Sequence, residues 1–251
     1  MNKRIYISVL FLLQLFGLKS QTIVHIENRR MGDTTEGFKG NVEIGFNFIQ
    51  NINDIFQSNN SANLHYIKKK HHVLSMTNSN LSVVNSNRLV NDGFQHFRYI
   101  YKMNDIFTPE AFTQLQHNQM LRIKARWLNG FGGRLALIEQ DSVRLYFATL
   151  YMYEIEHELT GFKNHHHRFS NYISFGLPIG KQVVLDFIGY YQPDINNPND
   201  FRVSTQIQLD MRITQKFGFR VSGSWFYDSY PPEGIRNAFF NFRNSFRYTF
   251  N

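Results

Sequence analysis

The chain has 251 residues, no cysteine, 16% aromatic residues and a formal net charge of +8. That length holds one domain with a full core, or one barrel, and the missing cysteine excludes disulfides and thiolate-bound metals. The modest positive excess suits anionic headgroups or anionic solutes, and beside an export signal it argues against nucleic acid as a partner.

The amino terminus reads as that signal. Met1-Asn2-Lys3-Arg4 precedes an apolar stretch from Ile5 to Leu18, and Ser20 offers a small residue for cleavage. A spanning helix needs about 20 apolar residues, whereas this run is shorter and ends on Lys19. The expected organisation is a signal peptide over residues 1–20, a periplasmic lead-in over 21–37 and a barrel over 38–251.

Past the lead-in the sequence alternates. Val42, Ile44, Phe46 and Phe48 interleave with Asn41, Glu43, Gly45 and Asn47; Val143, Leu145 and Phe147 interleave with Arg144, Tyr146 and Ala148. The same pattern sets Phe201, Val203, Thr205, Ile207, Leu209 and Met211 against Arg202, Ser204, Gln206, Gln208, Asp210 and Arg212. A period of two sustained this long marks amphipathic strands, because successive side chains leave a strand on opposite faces. Soluble sandwich strands commonly run about 5–6 residues, so strand length favours a membrane wall.

Short links at Lys68-Lys69-Lys70, Asn104-Asp105, Gln140-Asp141, Pro178 to Lys181 and Gln215-Lys216 alternate with polar links. The polar links are Asn51 to Asn60, Asn78 to Gly93, His117 to Gln119, Ile155 to His166, Gln192 to Asp200 and Asp228 to Asn237. The expectation is all-β: an up-and-down antiparallel transmembrane β-barrel of about twelve strands, with short periplasmic turns and longer external loops. Its place is the outer membrane of a Gram-negative-type cell, and outer-membrane lipids are its first partners.

The chain ends on Ala238-Phe239-Phe240-Asn241-Phe242-Arg243-Asn244-Ser245-Phe246-Arg247-Tyr248-Thr249-Phe250, with one parity nearly apolar and the other polar and basic. An aromatic strand left unpaired would template aggregation, so this one is expected to close the barrel against the strand near Asn41. Phe246, Tyr248 and Phe250 then face lipid and the aromatic girdle. They resemble the carboxyl-terminal motif that the barrel insertion machinery recognises, although Asn251 follows the last Phe.

The stretches GNVEIGFNFIQNINDIFQSNNSANLHY, GFQHFRYIYKMND, RLYFATLYMYEIE and YDSYPPEG resemble, in that order, the YdiY-type family of salt-induced outer-membrane proteins, a domain-of-unknown-function family. The resemblance covers nearly all of the chain after the signal. It implies a small outer-membrane β-barrel and supplies no activity, ligand or catalytic residue.

No residue is expected to be catalytic and no cofactor is called for. Barrel hydrolases resemble one another in a His and a Ser two apart on one strand face, and none of the 10 histidines here is followed by Ser at that spacing. His165-His166-His167, near Glu154, Glu156 and Glu158, is read as a solvated loop and not as a metal site. The lumen is the informative surface. Arg98, Arg122, Lys124, Arg126, Arg134, Arg202 and Arg212 are expected to line it, opposed by Glu43, Glu154, Asp186 and Asp210, with cations in excess. The reading that follows is a structural or envelope-associated barrel with a charged, largely filled lumen, with no protein partner indicated. A narrow anion-favouring channel is the alternative, and a lipid-modifying enzyme is third.

Overall fold

The computed structural model describes residues 36–50, 54–85, 87–140 and 143–250. The expected signal peptide and most of the lead-in lie outside the described residues. Twelve strands follow in chain order: β1 (Gly37–Gln50), β2 (Asp54–Lys68), β3 (His71–Val84), β4 (Asn87–Tyr101), β5 (Phe107–Asn118) and β6 (Ile123–Gln140). The second half comprises β7 (Val143–Glu158), β8 (Lys163–Ile179), β9 (Val183–Pro193), β10 (Phe201–Arg212), β11 (Phe217–Asp228) and β12 (Ala238–Phe250).

Each strand pairs antiparallel with its neighbours in sequence, and β12 returns to β1 to close the ring, so no sheet edge is left over as a whole strand. All five short links fall at one end of the barrel. Closure is brief: β1 and β12 pair from Gly40↔Phe250 to Ile44↔Phe246, whereas β1 and β2 pair from Gly37↔Ile67 to Gln50↔Asp54.

The exterior is apolar. Phe38, Phe46, Leu115, Trp127, Phe131, Ile207, Phe242 and Phe246 all stand exposed on the outer face. Buried positions on the same strands carry Asn41, Glu43, Gln114, Gln116, Arg126, Ser204, Gln208 and Ser245. This is a globular protein turned inside out, and it suits a wall whose backbone hydrogen bonds are all made between strands in a lipid solvent. Among the described residues no helix is long and apolar enough to cross a membrane.

Two of the polar links expected from composition are wall instead. Residues 54–60 belong to β2, and residues 78–93 belong mostly to β3 and β4. Their asparagines satisfy one another inside the barrel: Asn80 Nδ2 donates to Asn78 Oδ1 at 2.9 Å and to Asp92 Oδ2 at 2.6 Å, and Asn63 Nδ2 donates to Asn41 Oδ1 at 2.5 Å. An Asn- and Ser-rich run reads as loop in a soluble protein, but here the polar side of the wall points inward. The Ile155 to His166 link is likewise shorter than expected, since β7 runs to Glu158 and β8 starts at Lys163.

Glycine serves close packing at two places. On the outer face the Phe250 ring lies over Gly40, where an added Cβ would come within 2.5 Å of Phe250 Cζ. On the inner face Phe112 of β5 lies over Gly130 of β6 in the same way. An aromatic covering a cross-strand glycine compensates for the glycine's missing packing surface.

Candidate functional site

The interior is organised in three levels. Nearest the long-loop end, Glu154 of β7 is fully buried and meets three guanidinium groups. Arg126 Nε lies 3.0 Å from Glu154 Oε1, Arg202 Nη1 lies 2.8 Å from it, and Arg168 Nε lies 3.3 Å from Oε2. The same arginines reach outward to further acids. Arg126 pairs with Glu156, Arg202 Nε sits 2.8 Å from Asp228 Oδ2, and Arg168 Nη2 sits 2.9 Å from Asp200 Oδ1. Because Arg202 is on β10 and Glu154 on β7, this network is a chord across part of the lumen and not a ladder between adjacent strands.

Below it lies an apolar layer. Ala148 and Leu150 of β7, Tyr172 of β8, Ile188 and Tyr190 of β9 and Phe226 of β11 form one buried cluster, with Phe112 of β5 and Phe239 of β12 packed against it. The Tyr172 and Tyr190 ring centroids are 5.2 Å apart, and those of Phe226 and Phe239 are 4.8 Å apart. Strands from both halves of the ring therefore contribute apolar side chains to one layer.

Toward the short-turn end charges return. Arg220 of β11 pairs with Glu43 of β1 and, through Nε at 2.9 Å, with Asp210 of β10; Arg247 Nη1 reaches Asp210 Oδ1 at 2.8 Å. Ser245 Oγ donates to Glu43 Oε2 at 3.0 Å. Beside these, Arg98 pairs with Glu110, and Arg134 lies 3.5 Å from Glu110 and 4.3 Å over the Tyr146 ring. Arg144 and Asp186 stand 3.4 Å apart. A charge moved into such an interior is tolerated only with partners, and these groups have them.

A family model described as "Protein of unknown function, DUF481" matches residues 42–250. The chain belongs to that family. No curated protein matches it. Among solved structures the DUF481 barrel is similar to the KdgM porin, with a TM-score of 0.49 at 11% identity over 86% of this chain and 100% of that one. It is similar to the NanC porin at a TM-score of 0.47 and 11% identity, over 85% and 98% of the two chains. The translocator domain of the autotransporter NalP from Neisseria meningitidis gives a TM-score of 0.45 at 11% identity, over 87% and 90%.

Within the DUF481 barrel the lining expected from parity is only partly assembled. Arg98, Arg126 and Arg202 are buried inward, as are Glu43, Glu154, Asp186 and Asp210, and Arg134 is half-buried among them. Arg122 and Lys124 are corrected: both are exposed. The cause is a bulge between Ile123 and Ala125, which resets the alternation so that Ile123 and Arg126 both turn inward. Arg122 sits in the preceding turn at φ 57° and donates through Nη1 to the Glu233 carbonyl at 2.9 Å. Arg212 is corrected too, because it ends β10 at the rim and is exposed.

Sequence parity missed Glu110, Glu156, Arg168, Asp200 and Asp228. With them the expected cation excess disappears: among the described residues the buried charged side chains comprise ten acids and six bases, and the half-buried Arg134, Arg144, Arg243 and Arg247 bring the interior near neutrality. Of the carboxyl-terminal aromatics, Phe246 and Tyr248 face outward and are exposed, and they pack on Phe219 and Phe217 of β11 at 5.3 and 5.2 Å between centroids. Phe250 covers Gly40.

Proposed function

We propose that this protein is a non-conducting barrel of the Gram-negative outer membrane, with a structural or envelope-associated role exercised through its wall and external loops. The observation that carries the reading is the apolar layer between two ion-paired layers. Leu150, Tyr172, Ile188, Tyr190 and Phe226 form one buried apolar cluster inside the barrel, and a constriction lined by such groups sheds water and ions. The near-neutral interior supports the same conclusion, since an anion-selective pore needs a field of one sign that is free to act on solutes. Here Arg98, Arg126, Arg168, Arg202 and Arg220 are each paired with carboxylates.

Outer-membrane lipid contacts the apolar exterior, and the insertion machinery reads Phe246, Tyr248 and Phe250. The test is a planar bilayer containing purified protein. Wild type gives no steady conductance, while Tyr172→Ala with Tyr190→Ala, which thins the apolar layer, gives a measurable one. A stable ohmic current from wild type sinks the proposal in favour of a channel.

A further inference from the structure

The run His165-His166-His167 is split by the strand. His165 and His167 point outward from β8, where their Nδ1 atoms lie 2.9 Å from the Tyr153 hydroxyl and 2.5 Å from the Tyr151 hydroxyl. His166 points the other way, toward the link between β9 and β10. There its Nδ1 is hydrogen-bonded to Asp194 Oδ2 at 2.7 Å and lies 3.7 Å from Asp200 Oδ2. The three ligand atoms all fall within 4.8 Å of one another, and both aspartates are buried, at 5% and 8% exposure.

We infer that His166, Asp194 and Asp200 form a binding site for a divalent transition-metal ion of the zinc class. This goes beyond the barrel reading and does not depend on whether the lumen conducts. The second oxygen of each carboxylate is already engaged, which aims the first. Asp194 Oδ1 accepts the backbone N–H groups of Asn196 and Asn197 at 2.8 and 3.3 Å. Asp200 Oδ1 accepts Arg168 Nη2 at 2.9 Å, and Arg168 is itself tied through Nη1 to the Gln192 and Asp200 carbonyls at 3.3 and 3.2 Å. Asp200 Oδ2 accepts no hydrogen bond among the described residues, and the Asp200 side chain is 12% exposed. It is a carboxylate oxygen directed at a histidine nitrogen with no donor of its own.

The backbone fixes the same arrangement. Asp194 N donates to the Asp200 carbonyl at 2.8 Å, Ile195 N donates to the His167 carbonyl at 2.7 Å, and Arg168 and Asp194 form an isolated bridge. Tetrahedral zinc with bonds near 2.0 Å separates its ligand atoms by about 3.3 Å. The 2.7 Å contact is a His166–Asp194 hydrogen bond whose proton an entering ion displaces, and the 3.7 Å to Asp200 lies near that spacing, so small side-chain shifts complete the site. One imidazole and two carboxylates leave a fourth position for water, and the nitrogen ligand favours zinc-class ions over calcium or magnesium, which prefer all-oxygen shells. Two carboxylates beside one guanidinium give the site a net negative charge, which a dication offsets. Binding ties β8 to the β9–β10 link at the external mouth.

The experiment titrates ZnCl2 into the detergent-solubilised, folded barrel by calorimetry near pH 7.5, with CaCl2 as comparison. One Zn2+ per chain is expected, with no saturable Ca2+ signal. His166→Ala and Asp200→Asn each lower affinity by roughly tenfold or more, the scale on which even outer-shell partners act. The double variant His165→Ala with His167→Ala keeps wild-type affinity, which separates this site from adventitious binding to surface histidines. Should a variant fail to fold, tetrahedral Co2+ absorption in wild type reports the same coordination. Absence of stoichiometric zinc binding by wild type, or equal affinity in His166→Ala, overturns the assignment.

Discussion

The β6–β8 flank and the β1–β12 seam are both parts of one closed sheet, and they are held by different means. On the flank, β6 and β7 pair from Ile123↔Glu158 down to Gln140↔Val143, and the buried Glu154 gathers arginines from β6, β8 and β10. At the seam the ladder runs only from Gly40↔Phe250 to Ile44↔Phe246; Glu43 takes Arg220 and Ser245 inside, and Phe250 covers Gly40 outside. The difference teaches that a four-residue charged hub braces the tall side of this barrel, whereas the low side rests on a few backbone pairings, the single acid Glu43 and one aromatic contact.

The largest effect is expected on the flank. Glu154→Ala leaves three guanidinium groups around a vacated site, and loss of one partner from such a buried network costs about 3–5 kcal/mol. The midpoint for conversion of the compact to the extended electrophoretic form should fall sharply. An unchanged midpoint would break the comparison, because the flank would then not depend on its charges.

A smaller loss is expected from Gly40→Val, which pushes the Phe250 ring off the seam, overpacking of this kind costing about 1–3 kcal/mol. Heat denaturation of the folded variant measures it, and a loss equal to that of Glu154→Ala would erase the distinction between the two regions. Smaller again is the direct cost of Phe250→Asp, about 0–1 kcal/mol for a charge near the interface. If the insertion machinery reads this residue, the amount of assembled barrel drops severalfold while the surviving fraction melts nearly as wild type. Equal membrane levels of variant and wild type refute that role.

The least effect is expected at the external link. Burial works against the charge on Asp194, but hydrogen bonds from His166 and from the Asn196 and Asn197 amides, with the Arg168 guanidinium, outweigh it and hold the carboxyl below its ordinary range. A depressed folded-state pKa means that the ionised form contributes stability above the unfolded value of about 3.9, and that this is lost as pH falls through the lower folded value. Amide exchange at Asn196 and Asn197 should stay slow through pH 5 and quicken only below pH 4. Quickening already at pH 5 would contradict it.

Much of this fold was legible in alternation alone. The five short turns, twelve strands and the meeting of the carboxyl-terminal strand with Asn41 all follow from a period of two. The bulge in β6 leaves no compositional mark, so parity alone turns Lys124 inward, and it carries the same alternation into Arg122, which lies in the turn before β6. The Asn-rich wall of β2 to β4 looked like loop because polarity alone does not distinguish solvent from a polar lumen. The apolar layer is hidden for a related reason: Ile188 and Tyr190 lie on β9, whose two faces are both largely apolar, so parity names no inside, and Tyr172 is a lone aromatic on the polar face of β8. Asp200 lies in the link before β10, and its pairing with Arg168 depends on that link folding back beside β8.

The short seam also constrains how the barrel is made. Eleven of the twelve pairings join strands adjacent in sequence and can be laid down one hairpin at a time; β1 with β12 alone joins segments about 200 residues apart, a closure whose entropy rises only slowly with loop length. Until that last step the nascent wall carries two bare edges into lipid, so zippering from Phe250 to Ile44 acts as the latch that commits the molecule. Because the chain has no cysteine, Asn41→Cys with Thr249→Cys, a register pair at the seam, turns that moment into a disulfide that can be timed during assembly.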